Sequence, residues 1–260
     1  GLEDLQCRYT NIAELILPEN SKLKEINCEN SQLTELDASR FDSLQKISLY
    51  GNKLALLDLS ASMKLEEVRC ANNQLETLIL PENGLIKRIE CQDNKISKLA
   101  GILDSEIEKS TNVDNTANLT YLNVQKNNFV FADLEPNWDK LSTLPSFFYN
   151  IQNPVGVEKD TSVVRGTNFN LIIESYKSAT NDQYTWYKNQ NFVDGENGGS
   201  LVFNPTEYNN EGSYHCVITN PDFPYLTLHT AQVRVSVTTP VSAIAFENND
   251  LKKLISKKHY

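Results

Sequence analysis

Five cysteines and three histidines are the residues here whose chemistry could go furthest. They stand at Cys7, Cys28, Cys70, Cys91 and Cys216, and at His215, His229 and His259. Thiols can pair as disulfides, ligate a metal or act as nucleophiles, and each use demands a particular arrangement. A tetrahedral metal site is poorly served, because no histidine precedes His215 to complete a set begun by the first four cysteines. His215 adjoins Cys216, but consecutive strand residues point to opposite faces, so the two cannot form a nucleophilic dyad. No glycine-rich phosphate loop, Gly-x-Ser-x-Gly elbow or His-Glu-x-x-His motif is present. The cluster Asp104-Ser105-Glu106-Ile107-Glu108 with Asp114 offers oxygen ligands of the kind calcium takes, but its spacing matches no known loop and reads as a solvated insertion. No catalytic residue, metal site or cofactor is assigned.

The spacing of the thiols is more informative than their chemistry. Cys7 and Cys28 are 21 residues apart, as are Cys70 and Cys91, and Leu49 stands midway between the pairs. Aligned on this position, the chain falls into register. Five residues before it stand Leu2, Leu23, Leu44, Leu65 and Ile86, and two before it Leu5, Ile26, Ile47, Val68 and Ile89. Three after it stand Thr10, Ser31, Asn52, Asn73 and Asn94. The segment Leu17-Pro18-Glu19-Asn20 recurs as Leu80-Pro81-Glu82-Asn83. A sixth rung, Leu119, Leu122, Val124, Asn127 and Phe129, follows a polar insertion at 101–118, expected as an exposed loop.

These residues resemble the leucine-rich repeat, L-x-x-L-x-L-x-x-N-x-L. That resemblance implies short parallel strands stacked around a shared apolar core, with an asparagine ladder that is weaker at Thr10 and Ser31. The outer segments, with Pro18 and Pro81, are expected to be extended or 3₁₀-like. The cysteines then read as a column of small core hydrophobes. A disulfide between neighbouring rungs, Cys7 with Cys28 or Cys70 with Cys91, stays within reach, but it would require inward side chains to turn toward each other.

Residues alternating with the core positions project onto the concave face. Along one column the charges alternate as Glu25, Lys46, Glu67 and Arg88, and in the next Arg69 faces Glu90, which predicts rung-to-rung ion pairs of small individual worth. Toward the C-terminal end the face carries Tyr50, Arg69, Arg88, Gln92, Tyr121 and Gln125. Tyr and Arg are enriched at binding hot spots, so these six are the candidate partner-binding residues.

Beyond Phe129, Trp138, Phe147, Phe148 and Tyr149 are expected to plug the open end of the solenoid. From about 157 the pattern changes to short strands: Thr161–Arg165, Asn168–Glu174, Gln183–Lys188, Ser200–Phe203, Ser213–Thr219 and Leu226–Val237. Trp186, Gly212, Tyr214 and Cys216 resemble strands C and F of the immunoglobulin fold, with its tyrosine corner. Ile173 stands where that fold places the partner half-cystine, and Asn210 where it usually has Asp, so Cys216 is expected to be a lone buried thiol. The tail at 239–260 is the one basic segment, expected as a solvated end.

The fold class expected is therefore mainly β: a leucine-rich repeat solenoid of 21-residue repeats and parallel strands, followed by an immunoglobulin-like β-sandwich. The divisions are 1–135, an aromatic cap and linker at 136–156, the sandwich at 157–238 and the tail at 239–260. This order resembles the internalin class of bacterial surface proteins, although that class has a 22-residue period and a helical N-cap. The resemblance implies a non-catalytic, secreted or cell-surface adhesion protein, monomeric, that binds a protein or glycan on the concave face. A structural stalk and a glycan-binding accessory subunit of an enzyme complex are the alternatives.

Composition agrees with a folded binding protein. The chain has 260 residues, 24 basic and 34 acidic, for a net charge of −10. That balance argues against nucleic acid and against an anionic membrane surface. No apolar run approaches the ~20 residues that span a bilayer. The chain opens Gly1-Leu2-Glu3, which reads as processed or trimmed, with a capping segment and an anchoring signal, such as a lipid anchor, expected upstream.

Overall fold

The computed structural model describes residues 1–17, 22–82, 84–100 and 116–240. The acidic cluster at 104–108, Asp114, Pro18, most of the insertion and most of the basic tail lie outside them.

The first part of the chain is built from three-residue strands. They are β1 (Asp4–Gln6), β2 (Glu25–Asn27), β3 (Lys46–Ser48), β4 (Leu56–Asp58), β5 (Glu67–Arg69), β6 (Thr77–Ile79), β7 (Arg88–Glu90), β8 (Leu99–Ala100) and β9 (Tyr121–Asn123). After two one-turn helices, α1 (Phe131–Leu134) and α2 (Trp138–Leu141), comes β10 (Ser146–Phe148). One parallel sheet runs β1-β2-β3-β5-β7-β9-β10, and a smaller one runs β4-β6-β8. The register of the larger sheet steps from Asp4 to Glu25, Lys46, Glu67, Arg88 and Tyr121.

Two devices hold the rungs together. The first is burial: Ile26, Leu44, Ile47, Leu49, Val68, Cys70, Ile89 and Cys91 are at most 1% exposed. The second is a ladder of asparagines at the turns, which are otherwise places where backbone groups would go unpaired. Asn52 donates from Nδ2 to the carbonyls of Cys28 (2.8 Å) and Leu49 (3.0 Å), and its Oδ1 accepts the Leu33 N–H. Asn73, Asn94 and Asn127 repeat the arrangement one rung at a time. In the first two rungs the hydroxyls of Thr10 and Ser31 stand in for the amide: they lie 2.9 Å from each other, and each is within hydrogen-bond distance of the Cys7 carbonyl, so their two protons serve three contacts in alternation.

Two expectations are corrected. The first four cysteines are not all thiols: Cys7 and Cys28 form a disulfide across a Cα separation of 4.6 Å. Neighbouring parallel strands supply a spacing within the range a disulfide spans. Cys7 lies in the first rung, where it is only half-buried, so its side chain can turn without opening a packed core. Cys70 and Cys91 have rungs on both sides and remain buried free thiols. Burial pushes Cys91 up to about 12 and Cys70 well above its ordinary value.

The second correction concerns the aromatic segment, which is more than a plug. Leu144, Phe147, Tyr149 and Gln152 occupy the positions of a further rung, with β10 pairing in parallel with β9. Gln152 takes the ladder position. Its Nε2 donates to the carbonyls of Val124 and Tyr149, and its Oε1 accepts from the N–H groups of Asn127 and Phe129. Phe148 therefore points away from the core and is 40% exposed.

The rest of the described chain forms β11 (Lys159–Val164), β12 (Phe169–Ile172), β13 (Gln183–Lys188), β14 (Asn191–Phe192), β15 (Ser200–Phe203), β16 (Gly212–Thr219), β17 (Thr227–His229) and β18 (Val233–Thr238). One sheet runs β11-β18-β16-β13-β14 with β17 beside β16, and β12 pairs with β15 in a second. The run expected as one strand over 226–237 is two, β17 and β18. Trp186, Leu171, Cys216 and Val235 are buried between the sheets, and the Tyr214 hydroxyl donates to the Asn210 carbonyl at 2.7 Å. Ile173 packs against this core half-buried. Cys216 is a free, buried thiol, and His215 faces the other way.

The two parts meet closely. Phe223, 1% exposed, lies 4.3 Å from Trp138 and 5.3 Å from Phe131, ring centre to ring centre. Val155 donates its N–H to the His229 carbonyl and accepts from the Ala231 N–H, each at 2.8 Å. The Thr180 N–H donates to Glu135 Oε1.

Candidate functional site

Strand alternation fixes the concave face. In β3, β5 and β7 the middle residue is buried and the outer two project from the sheet, and in β9 Tyr121 projects in the same way. All six candidates lie on this face: Arg69, Arg88 and Tyr121 on β5, β7 and β9, with Tyr50, Gln92 and Gln125 just beyond β3, β7 and β9. The last three share a level, linked by backbone bonds from Gly51 to Ala71, Asn72 to Gln92 and Asp93 to Gln125.

The candidates fall into two kinds. Arg69 and Arg88 belong to a four-charge network. The closest pairs run along single strands, Arg69 Nη2 to Glu67 and Arg88 Nε to Glu90, both at 2.6 Å. The rung-to-rung pairs expected from the alternating signs are longer, Arg69 to Glu90 at 3.5 Å and Arg88 to Glu67 at 3.7 Å. Residues two apart on one strand share a face, and these side chains reach each other along the strand as easily as across it. Burial alone would lower the Arg69 pKa, but the hydrogen bond and charge of Glu67, with Glu90 and Glu29, leave it raised. The network is neutral in sum and holds its guanidiniums in place.

The second kind is aromatic. The Arg88 guanidinium lies over the Tyr121 ring at 3.7 Å from its centre. Tyr121 in turn contacts Phe148 at 5.4 Å between centroids, with the rings tilted. Tyr50 stands apart toward the middle of the sheet and is 41% exposed. Beside the aromatic pair, Gln125 Nε2 donates to Asn150 Oδ1 at 2.5 Å. Gln92 keeps a buried Oε1 without a hydrogen-bond partner. The structure thus brings together Arg69, Arg88 and Tyr121, with Gln125 at their edge.

Phe148 and Asn150 belong to this group and were missed in the sequence. The signal was present: Leu144-x-x-Phe147-x-Tyr149-x-x-Gln152 follows the repeat spacing. Its aromatic substitutions, and Gln in place of Asn, hid it.

Among the described residues no group of three or more His, Cys, Asp or Glu is placed to hold a metal. No helix among them is long and apolar enough to cross a membrane.

No protein-family model matches the sequence, and no curated protein matches it significantly. Solved structures do share its fold. A secreted internalin-like protein, Lmo2445 from Listeria monocytogenes, is similar over 83% of this chain and 76% of its own, with 14% identity and a TM-score of 0.50. The functional domain of InlJ from the same organism, described as including a cysteine ladder, is similar over 83% of this chain and 48% of its own, with 12% identity and a TM-score of 0.43. Extracellular domains 3–5 of Drosophila OTK match over 35% of each chain, with 16% identity and a TM-score of 0.25. At these identities the first likeness shows the fold: a mainly β, leucine-rich repeat architecture of the internalin type.

Proposed function

We propose that the chain is a non-catalytic recognition module of a secreted or cell-surface protein, acting as a monomer. It binds a protein partner at the C-terminal end of the concave sheet, and an immunoglobulin-like sandwich supports it. The observation that carries this reading is the group Arg88, Tyr121 and Phe148. Three side chains of types enriched at protein interfaces, two of them hot-spot types, lie in contact on a solvent-facing sheet. Their positions are set before any partner arrives, by the strand register and by Glu67 and Glu90. A fixed site loses less side-chain entropy on binding than a mobile one. Tyr50 and Gln92 extend the surface toward the middle of the sheet, and Arg69 buttresses Arg88 through the shared carboxylates. The fold shared with a secreted internalin-like protein supports an extracellular setting. The buried Trp186 and Cys216 and the Tyr214–Asn210 bond support the immunoglobulin reading of the second part.

The test is the pair of substitutions Arg88→Ala and Tyr121→Ala, assayed against surface-protein fractions from the source organism or its host. A hot spot of ~2 kcal/mol corresponds to roughly a 30-fold loss of affinity for each. Affinity unchanged in the double variant removes the site.

A structural stalk is the second reading, favoured by the continuous core between solenoid and sandwich. It requires that the full-length protein bind a ligand that this chain does not.

A further inference from the structure

The outward face of the β13–β16 sheet carries a set of solvent-facing aromatic and polar side chains, remote from the concave site in sequence and of different chemistry. Strand register shows which side chains share it. Trp186 lies opposite Cys216, and both are buried, so Thr185 and Tyr187 face away from the core, opposite Val217 and His215. Phe192 lies opposite Tyr187 across β14, and His229 opposite Val217 across β17. Three rings therefore stand in a row on three adjacent strands. His215 stacks on Tyr187 with centroids 5.0 Å apart and planes 8° apart. Phe192 meets Tyr187 edge-on at 6.4 Å and is 60% exposed.

Two properties distinguish this face. The outward positions of β13, β14, β16 and β17 hold no Asp, Glu, Lys or Arg, in a chain with 58 such residues. The first charges met along the register are Arg234, beside Ser213, and Asp160 beyond it, and these two bond each other at 3.3 Å. The second property is unspent hydrogen-bonding capacity. Among the described residues, the side chains of Gln183, Thr185, Tyr187, His215 and His229 make no hydrogen bond. On the concave face, by contrast, the guanidiniums are already taken by Glu67 and Glu90.

We propose that this face binds a neutral saccharide. The rings of Phe192 and Tyr187 receive the apolar C–H faces of sugar rings, at low entropic cost because each side chain has few rotatable bonds. Gln183, Thr185 and the imidazoles meet the sugar hydroxyls. An ionic ligand would lose its hydration with no opposite charge on the face to compensate. A purely apolar protein patch would leave the amide, hydroxyl and imidazole groups unsatisfied.

Affinity electrophoresis of the whole chain tests this, through gels containing laminarin, mannan, xyloglucan or dextran, with polyanionic alginate as the charged probe. At least one neutral polymer is expected to retard the chain and alginate is not. Tyr187→Ala and Phe192→Ala should each weaken the retardation at least tenfold, while Met63→Ala, exposed on the solenoid away from both faces, leaves it unchanged. Both side chains are at least partly exposed, so the variants should fold, which circular dichroism checks. Thr185→Ala provides a milder second variant expected to weaken binding. Retardation by none of the four neutral polymers, retardation by alginate alone, or wild-type migration of the ring variants overturns the proposal.

Discussion

The ring of Phe223 packs 4.3 Å from the ring of Trp138, and this contact joins two units that the sequence pattern presents as separate. Trp138 belongs to the end of the solenoid, where it also touches Phe147 and Tyr149. Phe223 belongs to the loop after β16. Phe223→Ala should cost about 3–5 kcal/mol, as for other buried aromatic truncations. It should also split a single thermal transition into two. Calorimetry reads both effects, and one unchanged transition would refute the coupling.

Cys7 and Cys28 are bonded, while Cys70, Cys91 and Cys216 are buried thiols. Denatured without reductant, the chain should expose three reactive thiols, and five after reduction. In the native state alkylation should be slow, because burial holds Cys91 and Cys216 near a pKa of about 12 and keeps them protonated. Five thiols in unreduced, denatured protein would contradict the assignment.

How far the sequence reveals this molecule depends on what each feature rests on. The rungs rest on side-chain type at fixed spacing, so Leu44, Val68 and Asn94 are legible directly. The Cys7 bond depends on how tightly a particular rung is packed, and no spacing encodes that. Gln152 was hidden because the ladder requires an amide rather than Asn itself, and a longer side chain still reaches the carbonyls. The ion pairs had the right members but different partners, since side chains on one strand compete with neighbours across strands. Phe223 carried no signal, because docking between two units depends on their surfaces.

The ladder predicts unequal costs. The Asn94 side chain makes four hydrogen bonds within the turns, to the carbonyls of Cys70, Cys91 and Gln92 and from the Leu75 N–H. Asn94→Ala leaves these groups buried and unpaired, for a loss of about 2–4 kcal/mol at ~1 kcal/mol or more per group. Ser31→Ala, near the end of the solenoid, should cost less than half of that. Urea denaturation of the two variants makes the comparison, and equal losses would argue against the ladder.

His215 gives a pH dependence. Burial first, and the charge of His229 second, lower its pKa in the folded state. The unfolded chain therefore takes up a proton first as pH falls through the ordinary histidine value of about 6.5. Stability drops over that interval and levels off below the folded pKa. The wild type should lose more thermal stability than His215→Gln between pH 7.5 and 5. A parallel loss in both would show that His215 titrates alike in the two states.

Site-specific photo-crosslinking tests the central claim most directly. A photoreactive residue in place of Gln125, on the same rung as Tyr121 and bonded to Asn150, should capture a protein from the surface fraction. The same residue in place of Met63, which is 49% exposed and lies outside the sheet that carries the concave face, should not. Tyr121→Ala should abolish the capture at position 125. Equal labelling from both positions, or capture that survives Tyr121→Ala, would contradict recognition by the C-terminal end of the concave sheet.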